Sequence, residues 1–149
     1  LSSGYFVAAS TDKIYADKSA QIGELAKTFV YVDRKRNGQE QVCYITSSNY
    51  KSITLGDCKG FDPIIFEKLR RQVGGTYELL VSHIAEMRNL SKSTVEKLSN
   101  DRIMSSKEAL ELDLIDEIGT TQDAVAWLEN ELNTKLWLIY LRDMLPNET

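Results

Sequence analysis

Few residues in this chain can carry covalent chemistry. His83 is its single histidine. It lies beside an apolar helical stripe, a setting that reads as a satisfied structural histidine rather than a general base. A Ser-His-Asp triad or a Cys-His pair would have to use it, and nothing around it in sequence suggests either. The two cysteines, Cys43 and Cys58, fit neither a disulfide framework nor a metal-ligand spacing. They read as core or surface thiols, and no metal or other cofactor is expected. Serine remains. Its hydroxyl is a poor nucleophile until a base takes the proton. Without histidine that base can be a lysine whose pKa burial has lowered enough to leave it neutral. Ser2-Ser3-Gly4 has a suitable form. A serine at a helix start gains from the helix dipole and from the next backbone N–H as an oxyanion donor. Glycine two residues on lets a substrate backbone approach. Ser-Ser-Gly is also ordinary loop sequence, so the triplet alone leaves both readings open.

These residues need elements to hold them. Ser2 to Ser10 is apolar enough for a buried helix, with Ser2 or Ser3 as N-cap. "DKIYA" reads as a short strand, and "KTFVYVD" and "QVCYIT" as a hairpin turning at Asn37-Gly38. Residues 46–62 form a loop rich in Ser, Gly and Asp. Asp62-Pro63 then opens a long helix, proline standing at its first position. Phe66, Leu69, Val73, Tyr77, Leu80, Ile84 and Met87 give it one apolar stripe, interrupted at Gly74-Gly75. A helix capped by Ser91 follows, then a short one in "SSKEALELDLIDEIG" leading to a strand or turn at Gly119. "TTQDAVAWLENELN" is a last helix with a threonine cap and Asp123 near its positive end, and "KLWLIYL" a closing strand. Helices alternating with short strands place the chain in the α/β class.

With 149 residues the chain suits one domain with a real core. A 42% apolar and 27% charged composition is that of a soluble globular protein, and a net charge of −4 argues against nucleic acid as a partner. No apolar run reaches the roughly 18 residues that would span a membrane, and no signal peptide is visible. The fragment itself is expected to be soluble.

Context changes the weight of the serine. "SSGYFVAASTDKIYADKSAQIGEL" resembles the Ser-Gly-Gly-Tyr-Tyr-Ile-Ala…Ala-Asp-Lys-Ile-x-Ala…Thr-Gly-Ser-Ile-Gly stretch of the signal peptide peptidase A family of serine peptidases. "ITSSNYKS" is similar to the family's Ser-Gly-x-x-Lys segment. "LSNDRIMSSKEALELDLIDEIGTTQDAV" resembles Gly-Arg-x-x-x-Gly-x-x-Ala-x-x-x-Gly-Leu-Val-Asp-x-x-Gly, with Arg102, Ala109, Leu114, Asp116 and Gly119 in register.

The resemblance implies Ser2 as nucleophile and Lys51, 49 positions on, as its general base, with the Ser3 N–H in the oxyanion hole and Gly4 beside the substrate. It implies a Clp-protease/crotonase-like spiral of ββα units and residues 1–149 as the C-terminal part of one peptidase domain, beginning at the nucleophile. The preceding half would carry the other oxyanion donor, so the fragment alone is expected to be inactive or nearly so. Peptides such as remnant signal peptides at the cell membrane are the implied substrates. A ring-like homo-oligomer is the implied assembly, with Ser2 of one subunit nearer Lys51 of a neighbour than its own. A catalytically inactive oligomerising module and a phage head-maturation protease are the competing readings. Ser3, Asp101, Ser106 and Asp113 stand where the family favours glycine, which for the last three bears on turns rather than chemistry. Glu24 replaces the serine that orients the family's lysine. Its carboxylate either lies near Lys51 and keeps it protonated or points to solvent without effect.

Overall fold

Asp62 accepts a hydrogen bond from the Ile64 N–H at 2.8 Å, and Pro63 follows as the first residue of the longest helix. The computed structural model describes residues 3–25, 29–36, 39–47, 62–99 and 102–137. In chain order these form α1 (Ser3–Ala9), β1 (Tyr15–Ala16), β2 (Gln21–Gly23), β3 (Phe29–Arg36), β4 (Gln39–Thr46) and α2 (Pro63–Met87). They continue with α3 (Lys92–Leu98), β5 (Ile103–Ser105), α4 (Ser106–Glu111), β6 (Glu117–Ile118) and α5 (Thr121–Leu132). The chain is α/β, as its alternating pattern implies.

β3 and β4 pair antiparallel from Phe29↔Thr46 to Arg36↔Gln39; the turn expected at Asn37-Gly38 lies outside the described residues. β1 pairs parallel with β6, and β2 antiparallel with β5, so both short N-terminal strands are completed from beyond residue 100. Of the expected closing strand, Lys135 to Trp137 take no strand conformation, and its remainder lies outside the described residues.

α2 runs unbroken through Gly74-Gly75, the one long helix that its apolar residues from Phe66 to Met87 imply. Two helical glycines cost about 1 kcal/mol each. Burial of Val73 on one side and of Val81, Ile84 and Ala85 on the other outweighs that. A Cβ added at either glycine would meet nothing within 4 Å, so neither exists for close packing. The remaining helices start where their caps dictate. Ser91 accepts from the Thr94 N–H, while Ser105 with Glu108 and Thr120 with Asp123 form reciprocal capping boxes.

One apolar core joins α1, β1, β2, the end of α2, α3, β5 and α4. Leu25, Ile84, Val95, Ala109 and Leu114 are wholly enclosed in it. A polar network spans its edge. The Arg88 guanidinium donates to both Asp116 carboxylate oxygens, at 2.8 and 3.1 Å, and its Nε donates to the Asp113 carbonyl at 2.9 Å. Asp116 Oδ2 also accepts from the Ile14 N–H at 2.7 Å. Next to it the Tyr5 hydroxyl donates to the Leu114 carbonyl at 2.7 Å, and burial pushes that phenol well above its ordinary range.

The Arg88 hydrogen bonds hold the Asp116 carboxyl below its ordinary value of 3.8, against the opposing effect of burial. A folded-state pKa below the unfolded one contributes stability that is complete above the unfolded value and lost as pH falls through the folded one. Arg88→Ala should lower the unfolding free energy at neutral pH by about 2 kcal/mol, within the range for hydrogen bonds to a charged group. Urea unfolding should also show the variant losing less stability than wild type as pH drops below the ordinary aspartate value. An unchanged midpoint would remove Arg88 from the framework.

Candidate active site

Ser2 and Lys51 lie outside the described residues, so the site is built from what flanks them. Ser3 is the first residue of α1. The N–H groups of a helix's first turn have no intrahelical partner, which suits the donor role expected of the Ser3 backbone. Gly4 is exposed in the first turn, and a Cβ placed there would touch no described residue within 4 Å.

α1 is set by its inward face. Tyr5 and Ala9, four residues apart, are 6% and 2% exposed, whereas Val7 is 66% exposed. The helix therefore has one buried stripe rather than the all-round burial its apolar sequence suggests. Gly4, Tyr5 and Ala8 share a cavity of about 270 Å³ with Tyr15, Asp17, Ala20 and Ile22. The start of α1 and the strand that leads to Glu24 thus lie side by side.

Glu24 follows β2 with φ 50°, in the left-handed region, and its N–H donates to the Arg102 carbonyl at 3.1 Å. Gly23 is held still more closely. A Cβ there would stand 2.2 Å from the same carbonyl oxygen, so only glycine lets β2 approach β5 this closely. Arg102 in turn donates to Glu108 at 2.7 Å, tying the segment to the capping box of α4. The structure brings Glu24 and Arg102 together; of the expected dyad it describes neither member.

The matched residues of the last motif are structural. Ala109 and Leu114 are core, and Asp116 anchors the start of β1. Gly119 lies where a Cβ would come within 3.0 Å of the Tyr15 ring and 3.2 Å of Asp123. Positions where glycine is usual also find an account here. Asp113 has φ 57°, a left-handed conformation that aspartate tolerates better than most residues. Ser106 is buried, and its hydroxyl donates to the Asp17 carbonyl at 2.5 Å. Both departures concern turns and packing, as expected. Sequence reasoning did not single out Arg88, Gly23 or Ser10. Gly23 alone carried a signal, as the glycine shared with the family's Thr-Gly-Ser-Ile-Gly stretch. No group of acidic, histidine or cysteine side chains among the described residues is arranged to hold a metal ion, and no described helix is long and apolar enough to cross a membrane.

The sequence profile of peptidase family S49 matches residues 1–135. A candidate signal peptide peptidase SppA of Enterococcus faecium is 28% identical over 134 residues, covering 87% of this chain and 38% of that protein. A candidate protease of Methanocaldococcus jannaschii is 30% identical over 138 residues, covering 89% of this chain and 43% of the relative. Protease 4 of Haemophilus influenzae is 23% identical over 137 residues, or 90% of this chain and 22% of that protein. The chain thus spans less than half the length of these relatives. The profile runs from before Ser2 to beyond α5 and takes in every motif on which the resemblance rests. The chain belongs to peptidase family S49, the signal peptide peptidase A family.

Proposed function

We propose that the full-length protein is a serine endopeptidase with a Ser2–Lys51 dyad, cleaving peptides such as remnant signal peptides at the cell membrane. The observation that carries this reading is a family match that includes Ser2, Lys51 and the helix opening immediately after the serine. Neutral Lys51 takes the Ser2 hydroxyl proton as Oγ attacks the scissile carbonyl carbon. The oxyanion that forms is met by the Ser3 N–H and a second donor. Collapse breaks the C–N bond, the lysine returns its proton to the departing amine, and water then hydrolyses the acyl-enzyme.

The same reading takes the α/β chain as part of a Clp-protease/crotonase-like spiral of ββα units in a ring-like homo-oligomer. The sequence around Lys51 is polar, which favours a place at a subunit boundary, where the lysine would meet a neighbour's Ser2. The second reading, an inactive oligomerising module, draws on Glu24, whose carboxylate replaces the hydroxyl that orients the family's lysine.

A fluorophosphonate probe separates the two. Full-length protein should be labelled at Ser2, and Ser2→Ala should abolish both labelling and peptide cleavage. Folded oligomer that takes no label would establish the inactive module.

Glu24 has its own test. A carboxylate within roughly 4–6 Å of an ammonium favours the protonated lysine. Glu24→Ser in full-length protein should then lower the pKa of Lys51 and move the rise of the kcat/KM profile to lower pH. Identical profiles would show that Glu24 does not restrain the dyad.

A further inference from the structure

α1 has seven residues, about two turns, too few to be stable on its own in water. Its direction is therefore set by what grips it. Tyr5 is one grip, through the Leu114 carbonyl. The next residue, Phe6, points about 100° away around the helix axis and meets a different partner. Its ring centroid lies 4.2 Å from that of His83, with the planes tilted by 38°. Just past the helix end, Ser10 Oγ lies 2.7 Å from His83 Nε2. This hydrogen bond forms in either neutral tautomer, because a serine hydroxyl both donates and accepts. His83 is rigidly placed. The next two residues of α2, Ile84 and Ala85, are buried at 0% and 5% exposure in the core.

We propose that His83 is a positioning residue for the nucleophile: by holding Phe6 and Ser10 it fixes the rotation and tilt of α1, and with them the direction in which Ser2 is presented. Phe6 lies in the first turn of α1, which begins at Ser3, the residue that follows Ser2, so a shift at this clamp moves the helix that the nucleophile precedes. The proposed role acts through α1 and not on a reacting atom. Its contribution is geometric, and misplacing a nucleophile by about 1 Å can cost as much as 10²-fold in rate. The inference rests on the reading of Ser2 as nucleophile.

The test uses full-length protein and three kinds of change at the clamp. His83→Phe keeps a ring against Phe6 and removes the hydrogen bond, as does Ser10→Ala from the other side. His83→Gln keeps a polar atom for Ser10 and removes the ring. His83→Ala removes both. The alanine variant should lose about tenfold or more in kcat and in the rate of fluorophosphonate labelling, with KM near wild type. His83→Gln and His83→Phe should each recover part of the loss. Urea midpoints and the fraction of protein finally labelled give the folded population, so Ser10→Ala and His83→Phe decide the matter if the alanine variant does not fold. Wild-type kcat in all folded variants, or a loss fully accounted for by the unfolded fraction, overturns the positioning role. Ser2→Ala separates the two failures. Labelling that survives in Ser2→Ala sinks the nucleophile assignment itself, whereas its loss beside unaffected His83 variants sinks only the clamp.

Discussion

The Asp116 carboxylate is the point on which this fold turns. It receives two hydrogen bonds from Arg88 at the end of α2 and one from the backbone of Ile14 at the entry to β1. Segments about thirty and a hundred residues away are thereby joined at one side chain. The Arg88 side chain is only 10% exposed, so an uncompensated charge there would be costly. Its third donor covers the carbonyl of Asp113, the left-handed residue that ends α4 and directs the chain toward Asp116. Both Asp116 carboxylate oxygens and all three Arg88 guanidinium nitrogens therefore have partners in one network at the edge of the core.

What the network positions is a helix that could not position itself. α1 is short, and its hold on the rest of the chain comes from Tyr5 and Ala9, both part of the core. The Lys13 ammonium pairs with Glu117 at 2.9 Å and lies 4.9 and 5.4 Å from the Tyr15 and Trp127 rings. β1 is only two residues long, yet polar and cation–π contacts from three elements fix its register with β6. Short strands held by side-chain contacts, rather than long ladders, set where α1 begins.

The family motifs look different once their surroundings are known. Ala109, Leu114 and Asp116 build the floor under α1, and the Arg102 carbonyl is the hook that holds Glu24. The Arg102 carbonyl bonded to the Glu24 N–H is a backbone interaction, and the close approach that makes it depends on Gly23 being glycine.

The sequence by itself determined the class of the chain, the ends of its helices and the family to which it belongs. Capping residues and the Asp62-Pro63 start act through bonds a few residues long, so they are legible locally. The β-branched and aromatic runs of β3 and β4 are local in the same sense. Tertiary structure alone decided the rest. The pairing of β1 with β6 and of β2 with β5 joins residues about a hundred apart, and neither two- nor three-residue strand carries enough pattern to announce its partner. His83 read correctly as structural from its place beside an apolar stripe. Its partners, Phe6 and Ser10, came from the opposite end of the sequence, because only folding brings the end of α1 against α2.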